Sequence, residues 1–255
     1  MIKQIIIFAI VLTLTASTTF ANPNFGIRFG MGRFNMTGVE NTNTTSSGKW
    51  GGTLGLFMVQ QLGGFFFIQP AIILLWRGFI KTHTLVSNLS YKAESMNSFV
   101  QDAHETTENA SLGYIQIPVL LRYEIPLPGK FTPRILLGPT FNMNISGKDK
   151  ASGFGDWDGE HDIGNLKKLD IGGMIGVGVS FPLGKLNLGV DVIYDRSFSS
   201  AFKDVSEEEL ANDENFELWT ESDPVTFERT TKAPDFRNTG ISFQVSMMLP
   251  IGIGK

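Results

Sequence analysis

Eight stretches of this chain alternate large apolar residues with polar or small ones. A period of two belongs to β-strands whose two faces meet different surroundings. From about Asn24 to Met36, Phe25, Ile27, Phe29 and Met31 share one face, and Gly26, Arg28, Gly30 and Gly32 share the other. The second stretch, about Trp50 to Val59, is apolar on both faces, so its orientation stays open. In the third, Phe65 to about Arg77, Ile68, Ile72, Leu74 and Trp76 oppose Gln69, Ala71 and Arg77. The fourth, Ser111 to Ile125, sets Ile115, Ile117, Val119, Leu121 and Tyr123 against Tyr114, Gln116, Leu120 and Arg122. Phe131 to Ile145 follows, with Ile135, Leu137, Phe141 and Met143 opposite Arg134, Gly138, Thr140, Asn142 and Asn144. Near Ile171 to Phe181 the partners of the apolar face are Gly172, Gly176, Gly178 and Ser180. The seventh opposes Leu186, Leu188, Val190, Val192 and Tyr194 to Asn187, Gly189, Asp191 and Asp195. The last opposes Ile241, Phe243, Val245, Met247 and Leu249 to Ser242, Gln244 and Ser246.

The gaps between these stretches run long, short, long, short. The short ones are Gln60 to Gly64, Pro126 to Lys130 and Pro182 to Gly184; the long ones include polar segments at about Lys81 to Ala110 and Ser146 to Lys168. Alternation alone does not say which face meets water. The strand lengths of about 10 to 14 residues exceed those of ordinary sheets. Aromatic residues also gather at strand ends: Phe25, Phe65, Tyr123, Phe131 and Phe181 at one rim, Trp50, Trp76, Phe141, Tyr194 and Phe198 at the other. Two such belts belong at the two interfaces of a bilayer. The pattern predicts an all-β fold, an eight-stranded antiparallel up-and-down transmembrane β-barrel with short turns and both termini on the periplasmic side.

The first 21 residues read as a cleavable signal peptide: Lys3 at the start, an apolar run from Ile5 to Leu14, and cleavage between Ala21 and Asn22. That leaves residues 22–255 as one barrel domain of the bacterial outer membrane. The chain has no cysteine, which excludes disulfides, thiolate metal sites and a thiol nucleophile. Its net charge of −4 lacks the basic face that nucleic acid requires.

Several segments resemble the PorT-like family of small outer-membrane β-barrel proteins, within the porin family. They are Phe25-Gly26-Ile27-Arg28-Phe29-Gly30, Phe67-Ile68-Gln69-Pro70, Leu112 through Tyr123, Gly138-Pro139 and the glycine-rich Ile171 to Gly178. The resemblance implies an outer-membrane barrel with a possible link to secretion or envelope integrity. It departs where the family usually carries acids, at Ala71 and Gln116.

An eight-stranded barrel has an interior just wide enough for side chains to fill it. Arg28, Gln69, Gln116, Arg122, Arg134, Asp191 and Gln244 are therefore expected to form a hydrogen-bonded polar plug, since an unpaired buried charge costs several kcal/mol. The last long loop, Ser199 to Phe236, holds eleven acidic against three basic side chains. Within it, Glu207, Glu208, Glu209, Phe216 and Trp219 form a candidate recognition surface for lipopolysaccharide or another outer-membrane lipid, or for an envelope or secretion-system protein. Asp156, Asp158, Glu160 and Asp162 fail the EF-hand spacing. The glycines of Gly172 to Gly178 lie in a strand with no helix after it, unlike a phosphate loop. No cofactor, metal site or enzymatic activity is expected. Two alternatives remain: an exported soluble barrel of lipocalin type binding an apolar ligand, and an outer-membrane lipid hydrolase using His83, Asp195 and Ser197 near the outer rim.

Overall fold

Each alternating stretch becomes a strand hydrogen-bonded to its neighbour in sequence. The computed structural model describes residues 23–38, 44–89, 100–152, 159–163, 166–203 and 236–250. The segment expected as a signal peptide, with Ala21 and Asn22, the loop residues Glu207, Glu208, Glu209, Phe216 and Trp219, and Asp156 and Asp158 lie outside these residues. The side chains of His83 and His104 are likewise outside the description.

The strands are β1 (Asn24–Thr37), β2 (Thr44–Gly63), β3 (Phe66–Leu89), β4 (Val100–Glu124), β5 (Thr132–Ser152), β6 (Gly159–Asp162), β7 (Leu169–Leu183), β8 (Leu186–Ser197) and β9 (Arg237–Pro250). All pairings are antiparallel. Eight strands form a ring, β1-β2-β3-β4-β5-β7-β8-β9, which β1 and β9 close in one unbroken register from Asn24↔Pro250 to Thr37↔Arg237. The ninth, β6, pairs with the upper end of β5.

The wall is apolar outside and polar within. Phe29, Met31, Leu54, Leu56, Ile72, Trp76, Leu137, Val177, Val190 and Phe243 are exposed, whereas Arg28, Gln69, Arg122, Asp191 and Gln244 are almost fully buried. A water-soluble barrel of lipocalin type would reverse this arrangement, so that alternative is overturned. Inward parity also holds Ile73, Leu75, Leu120, Leu136 and Ile193, which break the interior into apolar and polar storeys. Ile117 and Met143 share the outward parity yet are buried.

The turns at the lower rim are tight. Gly64 (φ +55°) and Gly184 (φ +63°) take the left-handed conformation that a two-residue hairpin needs and that a side chain would resist. Aromatic rings gather beside this rim, Phe66 against Tyr123 at 5.0 Å and Phe131 edge-on to Phe181 at 6.0 Å. At the opposite rim Trp50, Trp76, Tyr194 and Phe198 stand exposed on the outer wall.

Two expectations about extent are corrected. The polar stretch at Lys81 to Ala110 is largely strand, because β3 and β4 stay paired from Lys81↔Glu108 to Leu89↔Val100. The stretch from Ser146 likewise continues β5 to Ser152 and folds back through β6. Backbone pairing persists above the apolar belt although side-chain alternation no longer marks it.

Candidate functional site

Four arginines enter the interior from β1, β3, β4 and β5, all at inward positions. Arg134 on β5 makes the best-formed ion pair: its Nε donates to Asp191 Oδ1 at 2.7 Å and its Nη2 to Asp191 Oδ2 at 2.8 Å. This two-pronged geometry matches a guanidinium to a carboxylate and is the strong form of such a bond. Two glycines make room for it. A Cβ on Gly178 would sit 2.0 Å from Asp191 Oδ1, and one on Gly189 would sit 2.2 Å from Arg134 Nη2.

Arg28 donates to Gln244 Oε1 at 3.3 Å and lies over the Phe57 ring, 4.9 Å from its centroid. Arg122 donates to Gln69 Oε1 at 3.3 Å and pairs with Glu124. These three groups form the lower polar storey. Above them Leu120, Leu136, Met174 and Ile193 make an apolar layer.

The upper polar storey is built on Arg77. Its Nη1 reaches Asp195 Oδ1 and its Nη2 reaches Asp170 Oδ2, both at 3.3 Å, and its guanidinium stacks 4.1 Å from the centre of the Tyr114 ring. Gln116 donates to the other Asp195 oxygen at 2.7 Å. Asp170 also accepts from the hydroxyls of Ser197 and Ser199.

The seven residues expected as a single plug therefore occupy two levels, with Gln116 in the upper one and the other six below. Sequence reading missed Arg77 and Asp170. Arg77 shares the parity of Gln69, which was a usable signal; Asp170 lies at the margin of a polar segment, where parity is hard to anchor. Asp170 on β7 and Asp191 and Asp195 on β8 supply carboxylates to this interior. Ser197 hydrogen-bonds a carboxylate and Asp195 answers Arg77 and Gln116, so neither stands as part of a serine–imidazole pair among the described residues.

A cap of buried apolar residues lies at the outer end of the interior. Phe34, Met36, Leu75, Phe79, Leu112 and Tyr114 from the wall meet Ile163, Leu166, Ala201, Phe202 and Phe236 from the connections. Leu166 forms a β-bridge with Phe202, the Lys167 amide donates to the Ala201 carbonyl (2.8 Å), and the Ala201 amide donates to the Phe236 carbonyl (2.7 Å). Phe202 and Phe236 pack edge-on at 5.6 Å. Further up β3, β4 and β5, Lys81 pairs with Glu108 at 3.6 Å and Asp149 is buried beside them. Neither Asp149 oxygen accepts a hydrogen bond from a described residue. Burial pushes its carboxyl up to about 6, and the charge of Glu108 adds to the rise. The Lys150 amide, short of hydrogen-bonding geometry, opposes it together with Lys81 and His161.

The family model described as the outer membrane protein beta-barrel domain matches residues 19–203. The chain belongs to this family. Membership, the closed ring and the inverted wall place it in the bacterial outer membrane. A search of curated protein sequences finds no match. Among solved structures it is similar to neisserial surface protein A (11% identity, 89% of this chain and 97% of that one, TM-score 0.41). It is also similar to Ail, the attachment invasion locus protein of Yersinia pestis (12% identity, 89% and 99%, TM-score 0.37). A third is the outer membrane protein OprG from Pseudomonas aeruginosa (10% identity, 90% and 96%, TM-score 0.41). The family's barrel is thus present with arginine–carboxylate pairs on its inner face and an apolar cluster towards one end.

Proposed function

We propose that this family member is a sealed, non-enzymatic anchor that presents tall β-hairpins and an acidic loop to a partner at the cell surface. The observation that carries this reading is the apolar cap of Phe34, Phe79, Leu166, Phe202 and Phe236 seated over a charge-paired interior. Water and ions would have to cross both, and eight strands leave no spare bore. The work of the molecule then falls to what stands outside, β3 and β4 above Lys81 and the connection between β8 and β9. The PorT-like resemblance adds a link to secretion or envelope integrity.

Two measurements test this. Reconstituted into planar bilayers, the protein is expected to give no steady conductance; a stable open current would overturn the sealed reading. A pull-down from intact cells, with and without residues 203–233, is expected to lose a specific envelope partner on deletion. An unchanged set of partners would remove the loop from the proposal.

A further inference from the structure

On the outer wall, the surface changes character along one level of β8, β9, β1 and β2. Below that level stand Val192, Phe243, Met31 and Leu54, all apolar and exposed. At and above it stand Tyr194, Arg196, Thr239, Arg33, Asn35, Ser47 and Lys49. The register puts Arg33 opposite Ile241 and Trp50, and Arg196 opposite Thr239, so these side chains share the outward face. Beside Arg33 lies a groove of about 360 Å³ lined by Arg33, Asn35, Ser47, Tyr194, Thr239 and Ile241, with Arg196 and Lys49 outside its lining.

Among the described residues the charge here has one sign. β1, β2 and β9 contain no Asp or Glu, and both acids of β8, Asp191 and Asp195, point inward. Arg33 donates to the Gly48 carbonyl at 3.3 Å, leaving most of its donors for another acceptor. Lys49 donates to Asn109 at 2.7 Å and Ser111 at 2.6 Å, which steadies its ammonium at the surface without neutralising it. Arg196 is exposed and has no acidic partner among the described residues.

The geometry points to a binding site for the phosphate groups of outer-leaflet lipopolysaccharide, with Arg33 and Arg196 as its principal cations and Lys49 as a flanking one. The wall beneath takes acyl chains, the Tyr194 and Trp50 rings sit at the interface, and the guanidinium fork suits phosphate oxygens. Arg33 is level with Ile241 and Arg196 with Thr239, so the two lie two strands and two residues apart, about 12 Å between their Cα atoms. That separation suits a headgroup with more than one phosphate.

The test uses the full mature chain in phosphatidylcholine nanodiscs doped with either diphosphorylated or dephosphorylated lipid A, with retained lipid counted by native mass spectrometry. The wild type is expected to enrich the phosphorylated form. Arg33→Gln and Arg196→Gln should each reduce that enrichment about fivefold. Arg33→Lys should keep most of it. Lys130→Gln with Lys185→Gln, at the opposite rim, should leave it unchanged. Heat-dependent gel mobility checks that each variant is folded. Undiminished enrichment in the Arg33→Gln/Arg196→Gln double variant would overturn the proposal. So would equal losses at the lower rim, or displacement of the lipid by inorganic phosphate at matching concentration.

Discussion

Arg134 and Asp191 place opposite charges where neither has water, and each is tolerable because the other is there. Breaking such a pair leaves one charge stranded, whereas replacing both partners with apolar side chains can be neutral. Asp191→Leu is therefore expected to lower unfolding stability in urea by about 3–5 kcal/mol. The double variant Arg134→Met/Asp191→Leu should recover most of the loss. A single variant as stable as the wild type would mean that water reaches the pair. This pair was readable in the sequence as two inward polar residues, but not as a pair, since β5 and β8 are not neighbours in the ring. The cap was not readable at all. Phe202 and Phe236 are isolated apolar residues flanking a hydrated segment, and no periodicity marks an inward-folded connection.

Among the strands, legibility ended where the membrane does. In lipid, one face must be apolar, so alternation marks β1, β7, β8 and β9 plainly. Above the belt both faces meet polar surroundings, and β3 and β4 continue as strands without that mark. The ambiguity of β2 has a different cause: its inward residues Phe57 and Val59 are themselves apolar and pack with Ala71 and Ile73, so both faces read alike. A register shift between Gly48 and Gly52 also leaves Lys49 and Trp50, consecutive in sequence, both on the outer side. The upper part of the wall also carries a pH dependence. Asp149 has its carboxyl raised from the ordinary 3.8 to about 6, so the folded state holds its proton more tightly than the unfolded chain does. Its effect on stability is neutral below about pH 4 and increasingly unfavourable as pH rises from there to about 6. Hydrogen exchange in the upper parts of β4 and β5 should be slower at pH 5 than at pH 8 after correction for intrinsic rates. Asp149→Asn should reduce this difference and slow exchange at pH 8. An identical pH response in wild type and variant would exclude Asp149 as the source.

For the molecule as a whole, the deciding property is the inverted wall, and it was legible because seven clear parities came with long strands and two aromatic belts, which broke the tie between lipid and water. Val190 tests it directly. It lies on the outer face of β8, between Leu188 and Val192 and opposite Val179 and Val245. Val190→Arg should cost about 2–4 kcal/mol of folding into a bilayer, while Val190→Ile should be near neutral. Heat-dependent gel mobility after refolding into vesicles gives the folded fraction, and wild-type yields for the arginine variant would contradict lipid exposure at this position.

The seam between β1 and β9 joins residues two hundred or more positions apart. Such long-range pairing pays its loop-closure entropy late and makes folding slow. Until that final zip, the sheet has two raw margins whose amides and carbonyls seek any strand available. Assembly is thus all-or-nothing at its last step: a chain ending before Arg237 carries seven ring strands but has nothing with which to shut the cylinder.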